Sequence, residues 1–319
     1  MPQRGGSNPC CPRPESAERP GAGRGAASPM QRLRPVHYLM IAPAQVLLAA
    51  VILLPAASLI WLSLERATYG QPSEFVGLAN YRFILGDRAF WRAVLNTFVV
   101  VNIVVYGELL LGLGLALLVA GWVPFRRLVV SALLAPYAIT EVSAVVMWRT
   151  MLEPDIGIIN YGLAALGLGQ IDYGGDPIAA LGVAAAMAIW MHAPFTFLIL
   201  YAALLTVPGE LVEAARVDGA GAWQVFRHVK FRLIVPAILI ALLFRYITAM
   251  RLFAEIWLLT EGGPARMTEV LAIYLYRQAF KYHDFGVAAA TGFAMLVLSL
   301  AIASPYLVQM YRRMLRDAA

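Results

Sequence analysis

Six ionisable side chains, Glu108, Glu141, Arg149, Arg245, Arg251 and Glu255, fall inside stretches that are otherwise apolar. Charges in such surroundings are costly unless they face a cavity or a partner, which makes each a candidate for function. Arg251 and Glu255 stand four residues apart, the spacing that puts two side chains on one helix face, and are expected to form an intramembrane ion pair. Arg245 has no acid at helical spacing. It shares a face with Thr248, Ala249 and Leu252, and either lines a passage or meets a sister subunit. Glu108 and Glu141 either pair with each other or line the same passage, and spacing does not choose between these.

Other chemistry is not encoded. The only lysines, Lys230 and Lys281, do not end a G-x-x-x-x-G-K-[ST] run, so the chain is not its own P-loop ATPase. Its four histidines show no paired metal-ligand spacing, and Cys10 and Cys11 are adjacent, which rules out a disulfide framework between them. Asp284-Phe285-Gly286 spells a kinase tripeptide without the other kinase elements. A polytopic membrane enzyme is disfavoured because no nucleophile–base or metal constellation is present.

The elements that must position these charges are membrane helices. A composition of 61% hydrophobic and 14% charged residues indicates an integral membrane protein. The net charge of +6 comes from residues that flank apolar runs, with no aromatic-interleaved patch for nucleic acid. Residues 1–34, rich in Pro, Gly, Ser and Arg, are expected to form a disordered cytoplasmic tail, and no apolar core follows the first arginines closely enough for a cleaved signal. Residues 35–319 form the transmembrane domain. Six stretches approach the roughly 20 apolar residues needed to cross a bilayer: Val36–Leu64, Ala93–Ala120, Leu128–Met151, Ile178–Val207, Leu233–Leu259 and Val287–Met310. The tail, the Gly121–Arg127 turn and Arg312, Arg313 and Arg316 are basic, whereas Glu153–Pro177 has four acids and no Lys or Arg. The positive-inside rule therefore puts both termini in the cytoplasm. Pro43, Pro55, Pro136 and Pro194 fall inside spans, where they tend to kink helices.

Glu210–Pro236 is the polar interruption, with a cytoplasmic loop at about 208–232. It reads as two short helical pieces broken at Asp218-Gly219. Pro208 suits the first turn of the first piece, and Asp218 is expected to cap a second piece from about Gly221 to Lys230. Leu211 and Ala215 share one face of the first piece, Glu213 and Arg216 another. Such a helix suits a membrane surface or a groove on a partner.

Glu213-Ala214-Ala215, three residues, then Gly219 resembles the EAA loop of permease subunits of bacterial ABC importers. The run DGAGAWQVFRHV that starts at Asp218 is similar to the sugar branch that includes maltose permeases. Four other segments agree, in family order: Phe75–Tyr81, Trp148–Gly157 with Asn160, Leu258–Pro264 and Tyr276–Gly286. The resemblance covers about residues 36–312. The chain departs from the pattern at Val229-Lys230-Phe231-Arg232, where the family usually has Ile-x-Leu-Pro, and at Phe253-Ala254-Glu255, where it often has Phe-Asp.

The resemblance implies an all-α, six-helix, type I importer permease in the bacterial cytoplasmic membrane, with no covalent chemistry of its own. It implies a second permease subunit, an ABC ATPase dimer that carries ATP and Mg, and an extracytoplasmic solute-binding protein. Glu213, Ala214, Ala215, Asp218 and Gly219 would couple to the ATPase: Glu213 as a carboxylate for a basic partner residue, the alanines for close approach, Gly219 for the bend. By motif spacing, His192 and Phe195 on the fourth span and Arg245, Thr248, Ala249 and Leu252 on the fifth correspond to the faces that bind sugar in maltose-type permeases. The cargo is then a sugar or related polyol. Glycerol phosphate on the same machinery is the alternative, since Arg245 and Arg251 suit a phosphate.

Overall fold

A computed structural model of the chain describes residues 35–121 and 123–317. The basic tail and its cysteines, expected to be disordered, lie outside the described residues. Helices α1 (Pro35–Ser63), α2 (Ala79–Gly86), α3 (Arg88–Ala120), α4 (Arg126–Leu134), α5 (Glu141–Met151), α6 (Ile158–Ala165) and α7 (Pro177–Leu205) lead to α8 (Gly209–Val217) and α9 (Ala222–Val225). Then follow α10 (Phe231–Ala249), α11 (Ala254–Thr260), α12 (Leu271–Tyr276) and α13 (Phe285–Asp317). One short antiparallel pair, β1 (Glu65–Arg66) with β2 (Glu74–Phe75), closes the loop after α1. Among the described residues, five helical stretches are long and apolar enough to cross a membrane: Ile41–Ser63, Arg88–Ala120, Pro177–Leu205, Ala222–Ala249 and Phe285–Arg312. A sixth crossing is available as a bent pair, Arg126–Ala138 with Glu141–Met151.

Two predicted spans are corrected. Leu128–Met151 is not one helix. It bends by 98°, because Pro136 sits in a tight turn (Ala135–Ala138) and the Thr140 Oγ1 accepts the Ser143 N–H to start α5 afresh. Leu233–Leu259 is likewise interrupted. At its end α10 tightens, the N–H groups of Arg251 and Leu252 reaching back only three residues to the carbonyls of Thr248 and Ala249, and α11 begins at Ala254 after four intervening residues. At its start the same helix is longer than predicted: a π turn at Phe226–Lys230 joins α9 to α10 without a break. The helix runs through Arg232, where the family has proline, and through Pro236 beyond it.

The chain divides into two units, Met1–Leu54 and Pro55–Ala319. The described part of the first is the N-terminal part of α1, whose apolar side chains, such as Leu47 and Val51, are exposed, as a lipid-facing helix requires. In the second unit, α3 and α7 pack closely. Their approach depends on glycine: a methyl at Gly112 would stand 2.9 Å from the Phe197 nitrogen, and one at Gly107 2.5 Å from the Ile189 Cδ1. Two apolar clusters form on this pair. Val100 and Val104 of α3 and Ala184 and Met187 of α7 join Ala144 of α5 and Ile256 of α11. Val101 and Val105 of α3 and Phe197 and Leu200 of α7 join Ile234, Ile238 and Leu242 of α10. The break between α10 and α11 carries the chain from one cluster to the other.

Buried amides hold the corners. The Asn80 Nδ2 donates to the carbonyls of Ser63 (2.9 Å) and Glu65 (2.8 Å), satisfying the end of α1. Asn160, fully buried, donates to Leu152 O (2.6 Å) and accepts from Ile171 N (2.9 Å), tying α6 to the loops around it. Asn160→Ala should therefore leave a buried carbonyl and a part-buried N–H without partners and lower stability by about 1–3 kcal/mol. A reduced thermal midpoint of the purified protein is the check; an unchanged midpoint would show that water replaces the amide.

Candidate translocation cavity and coupling loop

The cavity between the clusters measures about 430 Å³. Its wall assembles from distant segments: Tyr137 in the tight turn after α4, Glu141 at the start of α5, His192 on α7, Arg245, Thr248 and Ala249 on α10, Arg251 and Leu252 in the break, and Glu255 on α11. Of the pathway residues expected from the sequence, His192, Arg245, Thr248, Ala249 and Leu252 thus line one space. Phe195 does not line it. That ring stacks on Tyr137, with centroids 6.1 Å apart, and meets Phe244 edge-on at 6.3 Å, so it packs behind the wall.

The charges pair differently from their spacing. Arg245 is held by Glu108 of α3 through two nitrogens: Nη2 donates to Oε1 at 2.5 Å and Nε donates to Oε2. The third nitrogen, Nη1, donates to the Thr248 hydroxyl at 3.1 Å. Both partners are buried, Glu108 completely. Arg245 therefore has its counter-charge inside this chain, and Glu108 is its partner rather than that of Glu141. The expected ion pair between Arg251 and Glu255 does not form: the helix break removes the regular spacing on which it rested. Glu255 instead faces the His192 Nε2 at 3.8 Å. One ligand atom each of Glu141, His192 and Glu255 lie within 4.8 Å of one another, a donor set with the types to hold a divalent cation. Sequence reading missed this cluster because its members come from three helices. Tyr137 was missed too; the only signal was Pro136 beside it.

On the other face of the polar interruption, α8 and α9 form an exposed helical elbow. Glu213 and Ala214 are exposed on α8. Ala215, Asp218, Gly219, Gln224 and His228 line a shallow groove of about 310 Å³. Gly219 has φ +83°, a left-handed turn that favours glycine. Two local expectations are corrected. Asp218 ends α8 rather than capping the second piece; that cap is Gly221, whose N–H donates to the Gln224 Oε1 at 2.8 Å. Pro208 sits one place ahead of the helix, at its cap.

This combination of bent helices around a polar cavity and an exposed elbow has counterparts of known role. Residues 157–311 match the family model described as binding-protein-dependent transport system inner membrane component. The chain is 35% identical over 281 residues to the sulfoquinovosyl glycerol transport system permease protein SmoG of Agrobacterium fabrum, covering 86% of this chain and 90% of that one. The chain is an ABC importer permease subunit. It is also 34% identical to the trehalose/maltose transport system permease protein MalF of Thermococcus litoralis, over 86% of this permease and 94% of the relative. Among solved structures, the bacterial alginate ABC transporter in complex with an alginate pentasaccharide-bound periplasmic protein superposes with a TM-score of 0.76 at 23% identity, over 88% of the permease and 94% of that chain. The fold is thus that of importer permeases, a multi-pass inner-membrane subunit and not an enzyme.

Proposed function

We propose that this permease moves a sugar or related polyol through the cavity between α7 and α10, with Thr248 and His192 among the side chains that meet it. The observation that carries the reading is the convergence of five motif-assigned pathway residues on one space of about 430 Å³ in a chain whose relatives are sugar permeases. The cargo is delivered by a solute-binding protein. A second permease completes the passage, and separate ATPase subunits, which carry ATP and Mg, dock on the α8–α9 elbow. Their closure drags the elbow, and the helices rock to open the cavity to each side in turn.

The test begins with calorimetry of the cognate binding protein against sugars and polyols. The bound sugar should then stimulate ATP hydrolysis and enter proteoliposomes that contain the complete importer. In those vesicles Thr248→Leu should lower uptake about tenfold, a loss on the order of 1.4 kcal/mol, while the complex still assembles. If no sugar or polyol is bound or transported, the reading falls.

A further inference from the structure

Glu255 is unusual among the cavity residues. Its side chain is 3% exposed, yet among the described residues its carboxylate accepts no hydrogen bond, and His192 approaches only to 3.8 Å. Its oxygens open to the cavity that the residue lines, so the donors they need come from whatever occupies it. Glu141, close to the same imidazole, adds a second carboxylate.

The positive side is weaker than the sequence suggests. Arg245 is neutralised by Glu108, and its remaining nitrogen is engaged by Thr248. Arg251 lines the cavity and makes no ion pair among the described residues. Two carboxylates against one uncommitted guanidinium leave a net negative charge while His192 is neutral, and no net charge when it is protonated. With the carboxylates ionised, the cavity is positive in neither state. An anion entering it would give up hydration without a net counter-charge, whereas hydroxyl and ammonium groups would meet acceptors.

We infer that the cavity discriminates against anionic solutes and accepts uncharged or ammonium-bearing ones, with Glu255 and Glu141 as the residues that set this preference. Its application to cargo rests on the proposed saccharide reading; the electrostatic assignment does not. It also speaks against phosphorylated solutes as cargo, since the arginine best placed for a phosphate is already occupied.

The test uses the complete importer in nanodiscs, with Thr248→Cys in a chain whose only two cysteines, Cys10 and Cys11, are changed to serine. Modification of that cysteine by a cationic trimethylammonium and an anionic sulfonate methanethiosulfonate is followed by mass spectrometry of this subunit, each rate divided by that for free cysteine. The cationic reagent should be favoured about tenfold, and Glu255→Gln or Glu141→Gln should bring the ratio towards one. Glu141 is exposed, so E141Q provides the comparison if E255Q does not assemble. A ratio of one or less, or one that neither variant changes, overturns the inference. In a second arm, trehalose should slow the modification and sulfoquinovosyl glycerol, which carries a sulfonate, should not; equal protection by both overturns the discrimination. If neither these nor any other sugar or polyol protects, and none is transported by the importer with Thr248 in place, yet the charge bias and its dependence on the two glutamates hold, the saccharide reading fails and the anion exclusion stands.

Discussion

Glu108→Ala, with Arg245 left in place, should cost about 3–5 kcal/mol of stability, the penalty for stranding one buried charge of a pair. Glu108 is fully buried on α3, and Arg245 makes a two-pronged contact with it across the interface with α10. Arg245→Ala should do comparable damage from the other side. The double replacement Glu108→Leu with Arg245→Met removes both charges and keeps volume, so it should recover most of the loss, because two apolar side chains need no counter-charge in that position. Thermal unfolding of the purified complex provides the cycle, and uptake provides the second readout. If the pair serves to fasten α3 to α10, uptake returns with stability in the double variant. A double variant that is stable but inactive would instead make Arg245 a residue that contacts cargo. A single Glu108→Ala variant as stable as the parent would mean that the charges are solvated in the membrane.

The difference between this pair and the expected one shows what sequence spacing can and cannot say about charges in a membrane. Arg251 and Glu255 satisfy the four-residue rule, but the rule holds only on a continuous helix, and the chain turns at Met250–Phe253 where no proline or glycine announces it. Arg245 and Glu108 lie on different helices 137 positions apart, so no local pattern could join them. The face of α10 that carries Arg245, Thr248 and Ala249 was legible because it depends only on helical periodicity; Leu252, also expected on that face, reaches the same cavity from the break beyond it. The Glu141–His192–Glu255 cluster was not, since it exists only after α5, α7 and α11 have packed.

The fold was more legible than the site. Membrane helices announce themselves by apolar length, and the polar interruption by its loss of it. The bend at Pro136 was written in the sequence as an in-span proline, yet Pro194 and Pro236 sit inside continuous helices, so proline alone does not tell a kinked span from a broken one. Residues of the outer segments that resemble the family hold corners. Asn80 and Asn160 cap buried backbone, and at Gly286 a side chain would collide with the Glu65 carbonyl and the Asn80 amide. Their pattern is strong because backbone geometry at a corner tolerates few residues.

Glu213→Ala should reduce ATP-driven uptake about tenfold, equivalent to losing about 1.4 kcal/mol of docking to the ATPase, with membrane insertion and pairing with the second permease intact. Glu213 is exposed on a short helix and makes no ion pair among the described residues, so its removal leaves nothing unsatisfied within this chain. Its effect must come from what docks there. Gly219 acts differently, through the backbone. At φ +83° a branched side chain costs about 1–2 kcal/mol, although nothing stands within 4 Å of where its Cβ would be. Gly219→Val should thus tilt α8 relative to α9 and reduce uptake at least as much as Glu213→Ala, while Gly219→Asn, which tolerates the left-handed turn, should keep more of it. The readout that separates docking from folding is the ratio of transport to ATP hydrolysis in proteoliposomes. That ratio, taken per assembled complex, should fall for Glu213→Ala with the amount of inserted permease pair unchanged. Normal uptake in Glu213→Ala would remove this carboxylate from the coupling elbow, and equal activity of the valine and asparagine variants would show that the elbow does not depend on its left-handed turn.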